Sequence, residues 1–181
     1  YWFAEYTDLI KLPNFMGGDI YSKNKNSYYI RTQNYKPKYY DLCVRAVEKN
    51  MLQWLKWGIV NNYGWFNGSI INHLINISVI NNSSETLIYL NETFKGDYKL
   101  DLMSIRYAAG HGHLKILQYL VKNNFQYDWK ACKDAVENGH LDCLKFLHES
   151  GCKLNDNISK HAIKYGNLEC VKYLYKNNCP F

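Results

Sequence analysis

The sequence predicts an all-α helical repeat solenoid of about five stacked helix-turn-helix units behind a small non-repeat N-terminal piece, and three observations carry that reading. First, one pattern returns at a fixed step: AAGHGHLKILQYL from Ala108, AVENGHLDCLKFL from Ala135 and AIKYGNLECVKYL from Ala162, each 27 residues after the last. A period of about 20 to 50 residues marks a stacked repeat protein, whose unit is too small to bury its own apolar face. Second, the run from Leu141 to Leu147 and its counterparts have the apolar spacing of an amphipathic helix. Third, Asp101, Asp128 and Asn155 each stand seven residues before the alanine of their unit. Their side-chain oxygens can accept the free amide hydrogens of a helix's first turn.

Residues 1–40 show no repeat and no sustained helical period, and they read as a cap or leader with short strands around Tyr28 to Thr32. Lys23, Lys25, Arg31, Lys36 and Lys38 stand there among Tyr28, Tyr29, Tyr35, Tyr39 and Tyr40. Basic residues interleaved with aromatics can bind single-stranded nucleic acid by phosphate contact and base stacking. No RNA-binding motif accompanies them, so a nucleic-acid-associated protein is the alternative function and not the first.

From residue 41 the units are expected near 41–70, 71–100, 101–127, 128–154 and 155–181. Placing Ala46 and Ser78 in the column of Ala108, Ala135 and Ala162 gives steps of 32, 30, 27 and 27. Other columns then agree: Val47, Val79, Ala109, Val136, Ile163; Cys43, Ile75, Ile105, Cys132, Ser159; Leu55, Leu87, Leu117, Leu144, Val171. Asn50 and Asn82 replace the turn glycines Gly112, Gly139 and Gly166, and asparagine is the non-glycine residue that best tolerates left-handed backbone angles. The longer early units carry extra connection, Ile59 to Ser69 and Phe94 to Asp97, in which Trp65 and Phe66 are expected to cover the array's edge.

Six cysteines occur, but Cys143 and Cys170 share a column with Ile116, and Cys152 and Cys179 share one with Phe125. Such columns are packing columns of reduced thiols, which points to a reducing intracellular compartment. No C-x2-C pair is present, so neither zinc nor any other cofactor is expected. The formal charge of +6 is moderate, and no apolar run reaches the roughly 18 residues of a membrane span. Gly110-His111-Gly112 lacks the Lys-Ser/Thr of a phosphate loop. His111, His113 and His140 fall in inter-helix turns, and His161 is expected at the surface in the column of Tyr107 and Asp134. No set of residues has catalytic spacing, so the chain is not read as an enzyme.

The small-apolar-x-x-Gly-His-Leu-x-x-Leu-x-x-Leu arrangement resembles the ankyrin repeat, whose usual unit is about 33 residues, two helices plus a finger-like turn. Here the unit is shorter, and Asp101, Asp128 and Asn155 stand in place of the family's Thr-Pro-Leu-His opening. The short unit, the Gly-Cys or Asn-Cys after the second helix and the richness in Asn, Lys, Ile and Tyr resemble the divergent ankyrin proteins of giant DNA viruses of amoebae. The resemblance implies an adaptor that binds a protein partner, a host protein in host cytoplasm if the origin is viral, on the concave face of the stack. It places the partner-binding residues between the Ala-apolar pair and the turn glycine: Gly110 and His111, Glu137 and Asn138, Lys164 and Tyr165, with Glu48 and Lys49 in the first unit. It also implies that Cys179-Pro180-Phe181 would lead into another helix pair, so the chain is expected to be cut at one end or more. The end face would then be covered by further units or by self-association.

Overall fold

The computed structural model describes residues 37–61, 66–98 and 101–181. The strands expected around Tyr28 to Thr32, the basic Tyr-rich stretch and Trp65 lie outside those residues. Among the described residues there are ten helices and no strand, in the order α1 (Pro37–Glu48), α2 (Leu52–Asn61), α3 (Gly68–Ile80), α4 (Ser84–Thr93), α5 (Leu102–Gly110), α6 (Leu114–Lys122), α7 (Trp129–Glu137), α8 (Leu141–Glu149), α9 (Asp156–Lys164) and α10 (Leu168–Lys176). They make five antiparallel pairs. The odd-numbered helices pack closely on one another from α1 to α9, while α6, α8 and α10 touch each other less.

Four of the five first helices, α3, α5, α7 and α9, start at a side-chain cap. Asp101 accepts from the Met103 amide, Asp128 from Lys130 N at 2.9 Å and Asn155 from Ile158 N at 3.2 Å. In the second unit Asn67 does the same with Ile70 N at 3.0 Å. It escaped the sequence pattern because α3 is 13 residues long where α5, α7 and α9 have 9, which moves the cap outward by about one turn.

Every first helix ends in one reversal. The amides of Met51, Ser83, His113, His140 and Asn167 donate to the carbonyls of Ala46, Ser78, Ala108, Ala135 and Ala162 at 2.7 to 3.1 Å. The residue before each donor is left-handed: φ is 53° at Asn50, 55° at Asn82, 73° at Gly112, 75° at Gly139 and 70° at Gly166. This is the Schellman arrangement, which satisfies carbonyls that the helix end leaves free. A second such column closes the later second helices, with φ of 63° at Asn124, 101° at Gly151 and 54° at Asn178. There the amides of Phe125, Cys152 and Cys179 return to Leu120, Leu147 and Leu174 at 2.9 to 3.1 Å, and all three side chains are buried. The Asn-Cys and Gly-Cys dipeptides of the sequence are therefore turn-plus-core pairs.

The core is built from the aligned columns. Cys43, Ile75, Ile105, Cys132 and Ser159 are fully buried, as are Leu55, Leu87, Leu117 and Leu144. Ser78 tolerates an alanine column because its hydroxyl donates to Ile75 O at 2.7 Å. The sulfurs of Cys132 and Cys152 meet, a contact the sequence reading did not foresee; their Cα atoms lie 7.1 Å apart, wider than disulfides usually bridge. The same two columns hold Ile105 and Phe125 in the preceding unit and Ser159 and Cys179 in the following one, where Oγ and Sγ are 3.0 Å apart. The pair thus fills a gap that other units fill with other side chains. Phe66 stacks on buried Phe94 with centroids 5.4 Å apart, the covering role expected of that loop.

Leu144 is fully buried between α8 and its neighbours. Leu144→Ala should lower stability by about 2 to 5 kcal/mol in equilibrium urea unfolding, the cost of lost transfer energy plus a cavity.

Candidate protein-interaction face

The eight residues singled out from the sequence all lie at the C-terminal ends of first helices. Glu48, Gly110, Glu137 and Lys164 are the last residues of α1, α5, α7 and α9, and His111, Asn138 and Tyr165 occupy the cap positions after three of them. Lys49 follows α1 directly. Glu48, Lys49, His111, Asn138, Lys164 and Tyr165 are exposed, while Gly110 and Glu137 are half-buried. Between the first and third units the row continues through Ile80 and Asn81, which the sequence reading did not single out. Their signal was the Ser78 column: two and three residues past it fall the same positions.

Several of these side chains are already engaged in the fold. Asn81 Nδ2 donates to Ile77 O at 2.9 Å and Asn138 Nδ2 to Asp134 O at 2.9 Å, while His111 Nδ1 lies 2.9 Å from Tyr107 O. All three reach one turn back and satisfy carbonyls at the helix end. Their residue types therefore reflect capping as well as any partner.

A polar seam ties neighbouring first helices together below the caps. Ser104 Oγ donates to Asn76 Oδ1 at 2.7 Å, and Asn76 Nδ2 donates to Asp101 Oδ2 at 3.3 Å, joining α3 to the start of α5. Arg106 of α5 meets Asp134 of α7 at 2.7 Å, and the hydrogen bond from its guanidinium to that carboxylate holds Arg106 above its ordinary pKa. Lys133 bridges Asp134 at 3.5 Å and Glu137 at 3.1 Å, and Glu137 Oε1 lies 2.5 Å from His161 Nδ1 of α9. His161, expected at the surface, is only 27% exposed, because it stands against Glu137 and under the Tyr165 ring. Interdigitated charges at this burial are more than decoration, since each side chain is partly desolvated by the next.

Two of the six exposed residues, Lys164 and Tyr165, stand together at the end of α9. Tyr165 is 50% exposed, stacks on His161 with centroids 6.1 Å apart and 11° between planes, and has the Lys164 ammonium 5.4 Å from its ring centre. The second helices instead carry simple surface ion pairs, Lys145 with Asp142 at 3.9 Å and Lys172 with Glu169 at 2.7 Å.

The turn histidines have structural roles. His113 Nε2 lies 3.1 Å from Ile80 O of the preceding unit, and Asn167 in the same column donates to Val136 O at 2.6 Å and Glu137 O at 3.1 Å. His140 lies over Gly112, so that a Cβ there would come within 2.6 Å of its ring. Among the described residues no three His, Cys, Asp or Glu side chains group to hold a metal, and no helix is long and apolar enough to cross a membrane. Burial pushes the Cys43 thiol up to about 12 and Cys143 to about 11, the opposite of what a nucleophilic cysteine needs.

The stitching of units at the turn can be measured. Gly112 and Gly166 share a left-handed φ, but only Gly112 has a ring from the next unit against it. Gly166→Ala should cost about 1 kcal/mol, the backbone strain alone, and Gly112→Ala clearly more in the same chemical denaturation series.

The fold described here is matched by sequence comparison. A family model for ankyrin repeats, three copies, covers residues 44–158, from within α1 to the start of α9. No curated protein matches the chain. Five helix pairs closed by one reversal, with a family match over more than half of the chain, place it in the ankyrin repeat family, whose members are generally non-enzymatic protein–protein interaction modules.

Proposed function

We propose that this chain is an adaptor that binds a protein partner along the concave ends of its first helices, with the strongest contacts at the α9 end. The observation that supports this most is Tyr165: half exposed, held flat against His161 and flanked by Lys164. A large side chain fixed before binding loses little rotamer freedom on association, and tyrosine is among the residues that interface centres favour. Exposed Glu48, Lys49, His111 and Asn138 extend the strip toward the first unit. Their mixed charge suits a polar protein surface better than a polyanion. Glu137 supports the strip from below through Lys133 and His161. The short unit and the Asn, Lys, Ile and Tyr richness support a giant-virus origin, which would make the partner a host protein met in host cytoplasm.

Photo-crosslinking residues placed at Asn138 or Tyr165 should capture the same protein from cell extract, and Lys164→Glu should weaken that capture several-fold. The same probes at Gln118 or Lys172, on second helices, should capture nothing in common with them. Capture from the second helices alone, with the fold intact by circular dichroism, would place the working face on the wrong side.

A further inference from the structure

At the end of α9 the seam reaches the strip, and the charges there do not balance among the described residues. Every carboxylate of α7 and α9 is already engaged by a cation: Asp134 by Arg106 at 2.7 Å and Lys133 at 3.5 Å, Glu137 by Lys133 at 3.1 Å, and Asp156 by Lys160 at 2.7 Å. Lys164 is exposed and pairs with none of them; its ammonium lies instead 5.4 Å from the Tyr165 ring centre. A positive charge beside a half-exposed phenol is therefore left for a partner to neutralise.

His161 can add a second positive charge at the same place. Its ring lies against Tyr165 with centroids 6.1 Å apart and 11° between planes, and its Nδ1 faces Glu137 Oε1 at 2.5 Å. Imidazole is the side chain whose charge ordinarily changes between about pH 5 and 8. A neutral His161 can give Glu137 the Nδ1 hydrogen, and a charged one gives the same hydrogen with a charge besides. Glu137 then faces two cations, Lys133 and His161, and one negative charge cannot neutralise both. The other charges of the helices packed on α9 are engaged or distant along the chain: Asp134 holds Arg106 on α7, and on α10 Glu169 holds Lys172 at 2.7 Å, with Lys176 exposed at its C-terminal end.

We propose that this corner takes an acidic segment of the partner, with a carboxylate beside Lys164 and an apolar side chain against the Tyr165 ring, and that it holds the segment more tightly when His161 is charged. The inference rests on the strip being the binding face, and adds to it the chemistry of the partner and a dependence on pH. The sign follows from the charges. Lowering the pH from about 8 to about 6 adds positive charge at His161 while the carboxylates of the partner stay ionised, so the attraction grows.

Short random peptides displayed on phage and selected on the whole chain at about pH 6 are the probe. Those that bind should carry Asp or Glu next to an apolar residue and should shift the backbone amide signals of Lys164 and Tyr165. A synthetic copy should bind about threefold or more tighter at about pH 6 than at about pH 8, and Lys164→Glu should weaken it about fivefold or more. His161→Gln, which keeps a hydrogen for Glu137 but cannot charge, should abolish the pH dependence, with His161→Asn as a second form of the same change. His111→Gln, on the same strip two units earlier, should leave it in place. Peptides that seat at Tyr165 without an acid, acidic peptides indifferent to Lys164→Glu, or a pH dependence that survives in both His161 variants overturn this inference alone. Peptides that shift the signals of α6, α8 and α10 instead would show that the strip is not the binding face, and both readings fall.

Discussion

The structure depends on burial that no unit can supply for itself. Val47, Val79, Ala109 and Val136 occupy one column, and each is fully buried with another unit stacked beyond it. Ile163, the same position in the last unit, is 58% exposed. Nine-residue helices are too short to be stable alone in water, so their formation is tied to this stacking. Stability in such an array is a sum of weak units and strong neighbour terms. Everything else in the molecule keeps the units in the register that makes those terms possible.

Two devices set that register. The left-handed reversal at Asn50, Asn82, Gly112, Gly139 and Gly166 fixes how the second helix leaves the first, and its hydrogen bonds to Ala46, Ser78, Ala108, Ala135 and Ala162 are alike in every unit. The seam from Asn76 through Arg106, Asp134 and Glu137 to His161 then fixes how first helices sit beside each other. Apolar columns alone would allow neighbouring helices to slide, and paired charges penalise sliding because a displaced carboxylate is left partly buried without its cation. Above the seam, Tyr165 stacks on His161 and stays half exposed.

Much of this was legible in the sequence because packing repeats. The alanine column, the aspartate and asparagine caps and the asparagine-for-glycine substitutions each restate one geometric demand several times, so each could be read by alignment of the chain with itself. What could not be read was pairwise. Nothing in the column of Tyr107, Asp134 and His161 announces that Asp134 takes Arg106 and His161 takes Glu137, since every boundary uses different chemistry at that place. His161 was expected at the surface for the same reason. The Asn67 cap was missed where an added turn of α3 broke the spacing. Of the strip positions, the columns located His111 and Asn138 correctly at helix ends, but only the contacts show that both reach back to carbonyls of their own helices.

The most direct test of the central claim is a pair of identical substitutions in one column. Val136→Lys and Ile163→Lys introduce the same charge at equivalent places, one beneath a following unit and one not. Equilibrium unfolding should show a loss of about 3 kcal/mol or more for Val136→Lys, from a buried unpaired charge, and a change within about 0.5 kcal/mol for Ile163→Lys. Equal losses at the two positions would contradict the account, because they would mean that neighbouring units do not decide what is core.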